Sequence, residues 1–168
     1  MGAYNAVEYL IQTGKRKIMY LSSSIQLEVS RRRYQGWRDA LMRYHIPITD
    51  NMILECDTRS KAIIATPGIL QQDDRPDAIF CVNDDCAAGV LHVAKILGMS
   101  IPNDLSICGF SDAPLCRATQ PMLTTVQQHG VEIGRRATTR LLERLGGDTR
   151  VSKTEMIPTD LIVRETTK

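Results

Sequence analysis

The sequence has no excess of charge of either sign: 21 Lys plus Arg stand against 19 Asp plus Glu, a formal net of +2. Neutralising nucleic-acid phosphates takes clustered positive charge, which argues against a dedicated DNA- or RNA-reading surface within these residues. No apolar run approaches the roughly 18–20 residues that cross a bilayer, and the opening MGAYNAVEYL has no basic segment leading into a long apolar one. Neither a membrane span nor an export signal is expected. The five cysteines, Cys56, Cys81, Cys86, Cys108 and Cys116, include no C-x-x-C pair, and His45, His92 and His129 show no ligand spacing. Reduced, buried thiols in the cytoplasm are expected, and no metal site. Also missing are a glycine-rich phosphate loop, a G-x-S-x-G elbow and a Cys–His pairing, so neither an enzyme nor a cofactor is expected.

What is present fits one domain with a sizeable core: 168 residues, 43% of them apolar. The chain is organised around Ala78–Gln128. Ala78–Val82 and Leu105–Phe110 are short apolar runs of the kind buried in a parallel sheet, and a helix over Asp84–Leu97 separates them. Asn83, Asp84 and Asp85 follow the first run directly, Ser111 and Asp112 the second, and Gln127 and Gln128 a third, Leu123–Val126. Carboxyl ends of neighbouring parallel strands lie side by side, and ligands bind just beyond them. Three polar clusters at three strand ends therefore predict one polar pocket. Asn83 also suits a helix N-cap.

Before this stretch, the spacing predicts a helix over Tyr4–Thr13 closed by Gly14, and a strand over Ile18–Leu21 ending in Ser22, Ser23 and Ser24. Ser30 can cap a helix running to about Tyr44, with Tyr34, Trp37 and Leu41 inward. Arg31, Arg32 and Arg33 fill its first turn, where cations oppose the helix dipole. For Arg31 and Arg32 acidic neighbours are the simpler remedy. A strand over Met52–Cys56 ends at Asp57, and Thr66-Pro67-Gly68 predicts a kink in the helix over Arg59–Gln72. Beyond Gln128, Val131–Leu145 reads as an amphipathic helix, and Thr154–Ile157 and Leu161–Val163 as short strands.

The run from Arg75 to Gln128 resembles the LacI/GalR family of bacterial transcription regulators through RPDAIFCVND, IPNDLSICGF and PMLTTVQQ. GKRKIMYLSS, RRRYQGWRDAL and the closing TDLIVRETTK extend the resemblance along nearly the whole chain. It implies a three-layer α/β/α fold of periplasmic-binding-protein-like type I with a mainly parallel sheet, truncated and mostly the C-terminal subdomain. Residues 1–127 plus 160–168 would form that subdomain, and 128–159 a remnant of the N-terminal one. The family's helix-turn-helix has no counterpart, so operator DNA would be bound only through a missing N-terminal domain.

The resemblance further implies a homodimer and a small-molecule effector, a sugar or sugar derivative. The implied cleft residues are Arg33, Asp57, Asn83, Ser111, Asp112 and Gln128, with Arg33 matching the family arginine that points into the cleft. Two departures bear on the effector. Asp57 and Thr58 stand where an aromatic side chain often stacks, and Ser111 replaces the first carboxylate of GFDD. Keeping Arg33 while losing that carboxylate favours a sugar acid or sugar phosphate. The alternative is a periplasmic sugar-binding protein of a transport system, which the unpaired cysteines and the family wording oppose.

Overall fold

A computed structural model describes residues 1–167. Helices α1 (Gly2–Gln12), α2 (Glu28–Arg43), α3 (Arg59–Leu70) and α4 (Asp84–Ile96) alternate with strands β1 (Ile18–Ser22), β2 (Ile53–Glu55), β3 (Ala78–Cys81) and β4 (Ser106–Cys108). The four strands form a parallel sheet in the order β2-β1-β3-β4. Such a sheet is covered on both faces, and alternating side chains divide its residues between two cores. Met19, Leu21, Ile79, Cys81 and Ile107 pack under α3 and α4. Ile18, Tyr20, Ala78, Phe80 and Cys108 pack under α1 and α2. This is the expected three-layer α/β/α arrangement.

The glycine of the Arg-x-x-Gly-Trp run has a packing reason. A Cβ on Gly36 would stand 2.8 Å from the Tyr4 backbone nitrogen and 2.9 Å from the Ala3 Cβ, so only glycine lets α1 and α2 approach this closely. Trp37 is fully buried one residue later and donates its indole N–H to the Ile18 carbonyl at 3.1 Å. These contacts fix α2 against the start of β1 and set where Arg33 emerges.

Several expectations need correction. Ser30 does not cap α2: the helix begins two residues earlier, its N-cap is Leu27, and the buried Ser30 hydroxyl lies 2.5 Å from that of Ser23. Glu28 supplies first-turn negative charge and pairs with Arg31 at 2.6 Å and Arg32 at 2.8 Å, which offsets the cations there. Pro67 does not divide α3, because it sits in the last turn, where its missing N–H removes a single bond. Residues 154–157 form no strand, having no neighbour to pair with.

Beyond β4 come the short helix α5 (Leu115–Ala118), which the sequence reading missed, then β5 (Thr125–Gln127), α6 (Gly130–Leu145) and β6 (Asp160–Ile162). β5 pairs antiparallel with β6, and parallel bridges Cys108–Thr124 and Ser111–Gln127 join it to the β4 side. α6 buries none of its residues, whereas α1 to α4 each bury at least three.

Candidate functional site

The sheet order puts the chain reversal between β1 and β3: from β1 the chain steps outward to β2, then returns to pair β3 on the other side. The crevice beyond the carboxyl ends at such a reversal is where open parallel sheets bind ligands. Leu21 pairs with Cys81 and Phe80 with Cys108 in register, which brings Ser22–Ser24, Val82–Asn83 and Gly109–Ser111 to one edge.

Arg33 reaches this crevice from the second turn of α2. Its Nη1 donates to the Val82 carbonyl at 2.6 Å, and its guanidinium carbon lies 4.0 Å from the centre of the Phe110 ring, a cation–π contact. Burial lowers its proton affinity from the ordinary arginine value. Beneath it, Tyr20 is fully buried between the rings of Trp37 and Phe80.

Asn83 is held from two sides. Its Oδ1 accepts from the Cys86 backbone N–H at 2.8 Å, capping α4, and its Nδ2 donates to the Asp57 carbonyl at 2.7 Å. The Asp57 carboxylate pairs with Lys61 at 2.7 Å. Below them Cys86 donates its S–H to the Cys56 carbonyl at 3.0 Å. All five cysteines are free and buried, and burial pushes the Cys116 thiol up to about 12.

On the other side of the crevice the Ser111 hydroxyl donates to Gln128 Oε1 at 2.9 Å, which joins the ends of β4 and β5. Asp112 does not stand as a free acceptor. Its carboxylate takes Arg164 at 2.6 Å and Arg117 at 2.9 Å, and its side chain is 3% exposed. The left-handed turn at Ser111 (φ 123°) and Asp112 (φ 56°) sends the one hydroxyl outward and the one carboxylate inward.

The structure thus brings Arg33, Asp57 and Asn83 to one stretch of the edge and Ser111 and Gln128 to the adjoining one, with Asp112 turned beneath. Sequence reasoning missed the polar frame below. Asp84 is 2% exposed, accepts from the Thr125 hydroxyl at 2.5 Å and from the Ala113 backbone N–H at 2.8 Å, and lies so close to Gly109 that a Cβ there would stand 2.3 Å from Asp84 Oδ1. The glycine of Cys-Gly-Phe-Ser was its only local signal. Asp84 and Asp112 are therefore spent on holding loops.

A periplasmic binding protein-like domain model matches residues 7–167. The chain belongs to that family. Within it, the HTH-type transcriptional repressor PurR of Vibrio vulnificus is 34% identical over 99% of this chain and 50% of its own length. The chain therefore spans about half the length of the curated relatives it matches. A LacI-family transcriptional regulator from Sanguibacter keddieii superposes with a TM-score of 0.91 at 33% identity, over 98% of this chain and 63% of that one. The transcriptional regulator CelR in complex with cellobiose gives 0.92 at 26% identity, over 98% and 51%. The resemblance to LacI-type regulators thus holds over nearly the whole of this chain, and the relatives named are transcription regulators.

Proposed function

We propose that this chain is the effector-sensing and dimerisation portion of a cytoplasmic LacI-family transcription regulator, a repressor, and that its effector is a sugar or sugar derivative seated at the sheet edge between Arg33, Asn83, Ser111 and Gln128. The observation that carries the reading is Arg33 anchored on Val82 at the chain reversal of a parallel sheet. CelR, of the same fold, is a regulator that binds cellobiose. The named relatives are transcription regulators, which disfavours the transport alternative. Residues 1–127 plus 160–168 would form one subdomain, and 128–159 would belong to the other. In support, α6 buries nothing against the rest of the chain. An effector that favours one relative orientation of two subdomains shifts the population toward it, and in a dimer this changes the spacing of the DNA-reading heads.

For the homodimer, the second copy would meet the groove between α3, α4 and α5, lined by Ile63, Ala88, His92, Leu115 and Ala118. Small residues there permit close approach of helices. Ala88→Arg is expected to leave the fold intact and to halve the mass seen by light scattering. An unchanged mass would place any association elsewhere.

The effector site is tested by titrating a panel of neutral sugars, sugar acids and sugar phosphates into isotope-labelled protein and following backbone amide signals. Shifts clustered at Ser22–Ser24, Asn83–Asp84, Ser111 and Gln128 are expected from at least one member. A panel that moves only signals elsewhere would overturn the assignment of this edge.

A further inference from the structure

The sheet has an open corner at its amino end, opposite the Arg33 crevice. β2 pairs with β1 only from Tyr20 and Ile53 onward, so Ile18 and Met19 have no β2 residue beside them. The Ile18 carbonyl is met instead by the Trp37 indole at 3.1 Å, so the corner is short of apolar contact rather than of a hydrogen bond. A cavity of about 410 Å³ stands there, walled by the end of α3, the approach to β2 and the turns before β1 and β3. Its floor joins the two cores: Met19 and Ile69 belong to the one under α3 and α4, Ile46 and Met52 to the one under α1 and α2.

The shape and charge of this recess select its occupant. None of the four floor residues is exposed, so the apolar surface sinks into the fold instead of spreading over a face. A protein partner needs a broad patch, about 800 Å² on each side, whereas a recess of this volume suits a small molecule. Its two methionines adapt to the shape of what enters. At the rim, Lys17 and Asp74 pair with each other. Arg16, also at the rim, has no carboxylate within ion-pair distance among the described residues. Its Nη1 donates to the carbonyls of Ile11 at 2.7 Å and Lys15 at 2.8 Å, which ties the guanidinium to the end of α1 and leaves its other N–H groups for a ligand. An apolar recess with one net positive charge at its mouth is complementary to an apolar body that carries a carboxylate.

We propose that this recess is a second ligand site, separate from the carboxyl edge of the sheet, and that it takes a small organic acid, an aryl or alkyl carboxylate whose body packs on Met19, Ile46, Met52 and Ile69 and whose charge meets Arg16. The site is independent of the effector crevice and shares with it only β1, which runs from Met19 at the recess to Ser22 at the crevice. Three probes of one shape test it: 3-phenylpropionate, 3-phenylpropanol and 3-phenylpropylammonium, titrated at millimolar concentration with the methyl signals of Met19, Ile46, Met52 and Ile69 as readout. The carboxylate is expected to move these signals at the lowest concentration and the ammonium at the highest. Equal response to all three would keep the recess and overturn its preference for an acid. No response from any, or shifts at the exposed stripe of α6 without shifts here, would overturn the site itself.

Arg16→Gln separates the charge from the apolar floor. Affinity for the carboxylate should fall about tenfold, while affinity for the alcohol stays as it was and reports that the recess is intact. An equal loss for both probes, or no loss for the carboxylate, would overturn the role of Arg16.

Discussion

At the scale of single residues, Asp112 differs most from its appearance in the sequence. As the last residue of Gly-Phe-Ser-Asp at a strand end it resembles a ligand acceptor, yet its carboxylate lies between Arg164 and Arg117. Arg164 is 9% exposed at the side chain and also donates to the Leu123 carbonyl, so the pair ties the final segment to the loop before β5. Removing one partner of a buried pair leaves the other uncompensated. Asp112→Asn is therefore expected to lower stability by about 3 kcal/mol, read from the urea midpoint at unchanged slope. A loss below about 1 kcal/mol would mean that solvent screens the pair as it does surface pairs. Arg33 was legible through the resemblance of RRRYQGWRDAL, whose arginine three residues before the glycine matches the family's cleft arginine, since the helix dipole alone does not set it apart from Arg31 and Arg32. Asp112 was not, because the partner that buries it, Arg164, lies 52 residues away in sequence.

At the scale of elements, strands and helices followed from period and punctuation. Buried runs with polar ends became β1, β3 and β4, and Asn83 capped α4 as its position suggested. Ser30 was assigned a cap on residue type, but the helix extended to Glu28, whose charge pairs with both neighbouring arginines. α6 has a clear amphipathic pattern and nothing to pack against: Leu141 and Leu142 are 59% and 62% exposed. An apolar stripe left in water draws other chains together. Leu141→Glu combined with Leu142→Glu should leave the thermal midpoint of this chain within about a degree, because neither side chain is in the core, and should reduce self-association seen by light scattering at high concentration. By contrast Leu41→Ala, on the buried face of α2, should cost about 2–5 kcal/mol. A monomeric parent chain at high concentration would count against the recruiting role of α6.

At the scale of the whole molecule, charge is distributed as local pairs rather than as a field. Arginines hold Glu28, Glu132 and Asp148 below their ordinary carboxylate values: Arg32 and Arg31 for the first, Arg136 and Arg135 for the second, Arg150 for the third. A carboxylate that is more acidic in the folded chain binds fewer protons there than in the unfolded one, so stability rises with pH across the gap. The contribution is fully present above the ordinary carboxylate range and is lost as pH falls through it. Because Glu28 is exposed and Glu132 and Asp148 are still partly open to solvent, the loss should be shallow and should shrink further in high salt. Thermal midpoints between neutral pH and about pH 3, with and without salt, check this. A midpoint that rises on acidification would reverse the sign.

The alternation of strands and helices, the polar residues that close each strand, and the family wording along the chain were all legible in the order of the residues. Each of these is set by neighbours within a few positions, through side-chain period, capping and turn chemistry. Which polar groups at that edge are taken up by partners became evident from the folded chain alone. Asp84 is occupied by Thr125 and Ala113, Asp112 by Arg164 and Arg117, while Arg33, anchored on the Val82 carbonyl, has no carboxylate within ion-pair distance among the described residues. Pairing of charges and buried hydrogen bonds depends on distance in space, and the partners here come from segments that meet only when the sheet is assembled.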